Sequence, residues 1–193
     1  MISKSKINVA IVGTVGIPAS YGGFETLAEN LVRVNAETNG PINFSVYCSG
    51  RSERDSFMGA SLRYINVSAN GISSLLYDAL SLISSVCRKD DCVLLLGVSG
   101  ALLIPVIKKI SNISVATNID GLEWKRSKWG KLAQWFLKRL EKVAVKYSDF
   151  VIADNQGIAD YVVAEYGIEP EVIAYGGDHA VLVQSKRPNH SVP

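Results

Sequence analysis

Short apolar runs alternating with longer stretches of helical spacing constrain this chain most. Seven such runs, at residues 7–13, 42–48, 62–67, 92–97, 113–118, 150–154 and 172–175, predict strands. Several are apolar at consecutive positions, as strands covered on both faces of a parallel sheet are. Between the first two, Phe24, Leu27, Ala28 and Leu31 fall at i, i+3, i+4 and i+7, and Gly40-Pro41 ends that helix. Further helical patterns cover 74–87, 100–110, 128–147 and 156–166. Strands separated by helices predict βαβ units in an α/β, doubly wound, mostly parallel Rossmann-like sheet of about seven strands. Residues 1–183 are expected to form this one domain. The polar segment 184–193, with two prolines, is expected to be a linker or frayed tail.

Composition narrows the function classes. Of 193 residues, 48% are hydrophobic and 20% charged, enough to build a core. A net charge of +2 excludes a global polycation for nucleic acid. Cys48, Cys87 and Cys92 are odd in number and lie within apolar runs, so they read as reduced core thiols of a cytoplasmic protein. His179 and His190 both lie near the C-terminus, and no Cys/His spacing suits zinc, so no metal site is expected. The polar residues 1–6 run straight into a strand and give no signal peptide. The uncharged stretch 92–107 is short for a bilayer span and is broken by Gly97, Gly100 and Pro105. Any membrane contact is therefore expected to be peripheral.

In doubly wound sheets, ligands bind at the carboxyl ends of the strands. After the first strand, residues 13–26 read Gly-Thr-Val-Gly-Ile-Pro-Ala-Ser-Tyr-Gly-Gly-Phe-Glu-Thr, neither GxGxxG nor GxxxxGK[ST]. Gly22 and Gly23 at the mouth of the following helix let backbone N–H groups approach an anion, or simply satisfy a turn. Glu25 and Glu29 in the first turns already answer part of the helix dipole. The second strand ends Tyr47-Cys48-Ser49-Gly50 without the carboxylate that holds a dinucleotide ribose, which counts against a nicotinamide enzyme. After the fifth strand come Asn118-Ile119-Asp120-Gly121-Leu122-Glu123-Trp124. Two carboxylates and an amide there suit hydroxyl binding or acid–base work, or else an Asp-Gly turn with a capping Glu.

The segment that follows is strongly basic. Between Trp124 and Lys146 stand eight cations and one anion, Glu141, a local charge of +7 that leaves −5 for the rest. At roughly 100° per residue, Trp129, Leu132, Ala133, Phe136, Leu140, Val143, Ala144 and Tyr147 form one apolar stripe expected to face the core. Trp135 projects about 120° from that stripe, among Lys131, Lys138 and Lys142. An indole ringed by lysines suits the headgroup zone of an anionic bilayer, although an ordinary solvated basic face would look the same.

Taken together, Ile11-Val12-Gly13-Thr14, Gly16-Ile17-Pro18-Ala19, Tyr21-Gly22-Gly23-Phe24-Glu25-Thr26, Asn118 to Arg126, Asp154-Asn155 and Tyr175-Gly176-Gly177-Asp178 resemble the N-terminal domain of a glycosyltransferase family 4 group. That group comprises rhamnosyltransferases and related polysaccharide-assembly enzymes, and the resemblance covers residues 7–179. It implies the N-terminal, acceptor-binding half of a GT-B fold, facing a donor-binding half across a cleft. Gly22 and Gly23 would then contact the donor diphosphate. Tyr21, Asn118, Asp120, Glu123 and Asn155 would contact acceptor or sugar, with Asp120 and Glu123 the candidates for catalysis. Anomeric retention without a metal or cofactor is implied. A polyprenyl-linked acceptor would give the basic helix, through Lys131, Trp135, Lys138 and Lys142, a membrane to lie on. Two departures stand out: Asn118-Ile119-Asp120 replaces a histidine common after the fifth strand, and Val15 stands where an arginine is frequent. No general base is therefore assigned.

The chain stops at Pro193, where the donor-binding domain should begin, and it carries nothing like that domain's paired glutamates. The expectation is a transferase half that is inactive alone and needs a donor-binding domain in cis or in trans. The competing expectation is a non-catalytic membrane-surface or partner-binding module that kept the fold.

Overall fold

The computed structural model describes residues 6–20, 22–127 and 129–174. Among these residues, eight strands form a single sheet: β1 (Ile7–Val12), β2 (Ile42–Ser49), β3 (Ser56–Phe57), β4 (Ala60–Ile65), β5 (Cys92–Leu96), β6 (Ser114–Ile119), β7 (Phe150–Ala153) and β8 (Glu171–Val172). Their order is β3-β4-β2-β1-β5-β6-β7-β8, and every pairing except β3–β4 is parallel. The eighth strand is the antiparallel β3, joined to β4 by Met58 and Gly59, both at positive φ. A two-residue strand is too short to show periodicity, so the sequence predicted seven. Positive φ at both central positions is the signature of the tight hairpin turn that joins them.

The helices are α1 (Gly23–Glu37), α2 (Ser73–Arg88), α3 (Ile104–Ile110), α4 (Lys131–Tyr147) and α5 (Gln156–Tyr166). Alternation along β1 sorts them between the two faces. Ala10 and Val12 join a core with Tyr77 and Leu82 of α2, Ile104 and Ile107 of α3, and Leu140 and Ala144 of α4. Ile11, pointing the other way, packs with Ala28 and Val32 of α1. A third cluster places Val145 of α4 and Ile158, Ala159 and Val162 of α5 against Ile119, Val151 and Ala153. Chain order reverses between β1 and β5, and such a switch point opens a crevice at the strands' carboxyl ends.

Two expectations need correction. The apolar stripe of α4 is not one core seam: Leu132 is 80% exposed and Tyr147 is also exposed, whereas Leu140, Glu141, Ala144 and Val145 are buried. The fully buried residues of α4 all fall in its C-terminal half, with Phe136 and Leu137 only partly buried against the core. Its N-terminal half overhangs the crevice, so Ala133 and Phe136 line a cavity. The three cysteines are free, but only Cys48 belongs to the core; Cys87 is exposed on α2 and Cys92 half-buried. Among the described residues, no helix is long and apolar enough to cross a membrane. The predicted tail 184–193, His179, His190 and the Tyr175–Asp178 motif lie outside the described residues.

Candidate functional site

At the switch point the chain leaves β1 through Gly13, whose φ is +95°. A Cβ there would stand 2.1 Å from the carbonyl oxygen of Leu96 in β5, so only glycine lets the first loop pass so close to the neighbouring strand. The loop then turns over the end of β2. The amide of Ser49 donates to the carbonyl of Val15 (2.8 Å), and Ile17 is buried among the α1-side core residues. The end of β2, where a dinucleotide's ribose would sit, is thus covered by residues 15–17 and carries no carboxylate. From below, the Tyr77 hydroxyl donates to the carbonyl of Thr14 (2.9 Å), fixing the loop to α2.

This geometry leaves a crevice of about 460 Å³. Gly13, Gly22 and Gly23 wall it on the β1 side, and Asp120, Gly121 and Glu123 wall it on the β6 side. The two loops singled out by the sequence therefore meet at one rim of the sheet. Between them lie the Gly97–Ser99 turn after β5 and, on the floor, Asp78 of α2. Phe24, Trp129 and Phe136 supply aromatic surface.

The carboxylates differ in their surroundings. Glu123 accepts from the Trp129 indole N–H (3.0 Å) and from the Arg126 guanidinium (3.0 Å), which anchors the loop. Asp120 opens to solvent along the crevice but has protein around most of its carboxyl; desolvation, and then the Asp154 charge, push it above the ordinary carboxylate range. Glu25 folds back under the start of α1, with Oε2 only 2.3 Å from where a Gly22 Cβ would stand. Burial raises the Glu25 carboxyl, opposed by the Val15 backbone N–H. Its position takes up part of the helix N-terminus that an anion would seek. Gly23 is different: nothing lies within 4 Å of where its Cβ would be, so its backbone is open to a ligand.

Other predicted residues are placed elsewhere. Asn118 is 1% exposed within β6, its carbonyl accepting from the Gly97 amide (3.0 Å), and it does not wall the crevice. Asn155 caps α5: its Oδ1 accepts from the Ile158 amide (3.0 Å) and its Nδ2 donates to Asp154 (2.7 Å). Tyr21 lies outside the described residues.

The basic face of α4 walls a second, open groove of about 820 Å³ facing α5. Lys131, Trp135, Lys138 and Lys142 all line it, with Arg139 5.3 Å from the Trp135 ring centroid. Trp135 is 57% exposed. Lys138 is partly committed, pairing with Glu165 (2.8 Å) and lying 4.8 Å over the Trp124 ring. Sequence reasoning missed two features. Asp78 lies in a helix with no flanking motif. Glu141, counted only as a charge in a basic run, is 2% exposed and accepts from both Tyr161 and Tyr166 (2.6 Å each). Helical spacing places Glu141 beside Leu140 and Val145, which is a signal that it would be buried.

Residues 6–178 match a family model described as Domain of unknown function (DUF1972). The chain belongs to that family. Among curated proteins, nothing matches this DUF1972 chain. Among solved structures it is similar to a sucrose-phosphate synthase from Thermosynechococcus elongatus, with TM-score 0.67 and 10% identity over 88% of this chain and 47% of that one. It is also similar to a UDP-N-acetylglucosamine 2-epimerase from Rickettsia bellii (TM-score 0.54, 16% identity, 84% of this chain and 42% of that one). A third likeness is to an S. aureus MnaA–UDP co-structure (TM-score 0.52, 15% identity, 89% and 44%). At these identities the likeness shows the fold: the DUF1972 domain has the Rossmann-like architecture of GT-B proteins. It spans a little under half the length of each of these three structures.

Proposed function

We propose that the chain is the acceptor-binding half of a rhamnosyltransferase-like glycosyltransferase. It would help move a sugar from a nucleotide-sugar donor to a growing, lipid-linked surface polysaccharide. The observation that carries this reading is that Gly22–Gly23 and Asp120–Glu123 wall the same switch-point crevice. The neighbours' names support it: one makes sucrose phosphate, one acts on UDP-N-acetylglucosamine, and one is a co-structure with UDP. In this reading Gly22 and Gly23 meet the donor diphosphate, with the open backbone at Gly23 and Glu25 turned aside from Gly22, while Asp120 faces the acceptor hydroxyl and holds or passes its proton. Glu123, tied to Arg126 and Trp129, positions that loop. A donor-binding half, in cis or in trans, completes the pocket. The 193 residues alone then supply too little of the transition-state surroundings to turn over.

The test joins or mixes the chain with a donor-binding half and offers UDP-, GDP- and dTDP-sugars with polyprenyl-diphosphate-linked saccharides. Transfer is expected, and Asp120→Asn should lower its rate by roughly 10²–10⁴-fold if Asp120 handles the proton. No transfer across the panel by the folded, joined protein would overturn the reading.

Surface attachment, with or without catalysis, is a second reading, favoured by the basic, Trp-bearing groove of α4. It would place the protein peripherally on the cytoplasmic face of the membrane. Each lysine near an anionic leaflet contributes about 1 kcal/mol, so binding should be weak, reversible and lost at high salt. Co-sedimentation with phosphatidylglycerol vesicles is expected, reduced by Trp135→Ala and by Lys131→Glu with Lys142→Glu. Equal sedimentation with zwitterionic vesicles would refute it.

A further inference from the structure

Helix α2 turns a row of polar side chains toward the sheet, and all but one are satisfied internally. The Ser81 hydroxyl donates to the carbonyl of Tyr77 (2.8 Å), the Ser85 hydroxyl to Asp90 (2.8 Å), and the Tyr77 hydroxyl to Thr14 (2.9 Å). Asp78 is the exception. It is 2% exposed, stands on the crevice floor, and its Oδ1 has no hydrogen-bond partner. Gly100, in the loop after β5, packs against its stem: a Cβ at Gly100 would come within 3.2 Å of the Asp78 Cβ. Ser99 hydrogen-bonds the carboxyl, but a buried oxygen left without a partner is costly, so Oδ1 needs one from the crevice side.

We propose that Asp78 is a specificity-determining residue whose Oδ1 hydrogen-bonds a hydroxyl of a neutral saccharide bound on the crevice floor, a role that rests on reading the crevice as an acceptor site. Charge on the walls favours a neutral ligand at this depth. Among the described residues that line the crevice, Glu25, Asp78, Asp120 and Glu123 face one cation, Arg126, which already pairs with Glu123. A phosphate would be repelled from such a floor, while hydroxyl groups meet donors and acceptors. Phe24, Trp129 and Phe136, which line the crevice, offer apolar packing surface for the C–H side of a sugar ring. Burial pushes the Asp78 carboxyl up to about 7, with Ser99 opposing, so near neutrality it donates as well as accepts. A hydroxyl, itself both donor and acceptor, matches either form.

Saturation-transfer and carbon-detected NMR on the 193-residue chain test this with methyl rhamnoside, methyl glucoside and methyl galactoside. At least one glycoside is expected to bind and to shift the Asp78 carboxyl carbon resonance. Asp78→Leu should weaken that glycoside at least tenfold and Asp78→Asn at least threefold, with circular dichroism unchanged. If Asp78→Leu fails to fold, the isosteric Asp78→Asn and the carboxyl resonance decide the matter. Binding that neither variant changes by twofold, with a stationary carboxyl resonance, overturns the role of Asp78 while leaving the acceptor site intact. Absence of any glycoside binding to the unmodified chain overturns both. Binding of spermidine in place of the glycosides overturns the proposal in favour of a cation site.

Discussion

Glu141 is the buried charge on which the packing of α4 against α5 turns. Its Oε1 accepts from Tyr161 and Tyr166 at 2.6 Å each, the short distance typical of hydroxyls donating to a carboxylate. The two rings meet edge to face with centroids 6.1 Å apart, so one substitution leaves the other phenol in place. A hydrogen bond to a charged group contributes about 1.5–3 kcal/mol, the loss expected for Tyr161→Phe or Tyr166→Phe alone. Removing both leaves a carboxylate that is 2% exposed with neither phenol, and the expected loss is about 3–5 kcal/mol. With a urea slope of about 2 kcal/mol/M, the double variant's midpoint should fall by roughly 2 M. Adding Glu141→Gln to the double variant should recover part of the loss, because a neutral amide is less costly to bury. Equilibrium urea unfolding followed by far-UV circular dichroism and Trp fluorescence provides the values. A double variant within about 1 kcal/mol of wild type would refute the reasoning, since the two bonds would then carry no net energy.

The Asp78 carboxyl, raised from its ordinary value to about 7, binds a proton more tightly in the folded state. Its contribution to stability is therefore present below about pH 4 and is lost as pH rises through 7, by about 4 kcal/mol at most. Asp78→Asn should match wild type at pH 4 and exceed it at pH 8 in thermal melts; the same difference at both pH values would contradict this. Gly13→Ala places a Cβ 2.1 Å from the Leu96 carbonyl oxygen at a φ of +95°, and should cost at least about 2 kcal/mol. For a chain of this size that lowers Tm by about 5 °C or more, and an unchanged Tm would show that the first loop can move off β5.

Much of the architecture was legible in the sequence because apolar runs flanked by helical spacing leave few ways to bury themselves. The bounds of α5 coincide with the predicted 156–166, since Asn155 supplies an N-cap and Gly167 a left-handed C-cap that periodicity and local chemistry both mark. The seam of α4 was only half legible. Helical spacing shows which residues share a face, but not where along its length that face leaves the sheet. Leu132 is consequently exposed and Phe136 lines a cavity, although both lie on the stripe that buries Leu140. Asn118 and Asn155 drew attention as polar residues at strand ends, yet one is enclosed in β6 and the other caps a helix.

What the amino acids determined unaided was the class of fold, the mostly parallel direction of its strands, and the two loops, glycine-bearing and acidic, at the strands' carboxyl ends. These follow from local periodicity and from the rule that ligands gather where a doubly wound sheet switches direction. The tertiary structure alone decided that Asp78 from a distant helix forms the floor of the crevice the two loops share, and that two tyrosines from α5 enclose Glu141. Those facts depend on contacts between residues far apart in the chain, and burial of a single polar side chain leaves no periodic trace.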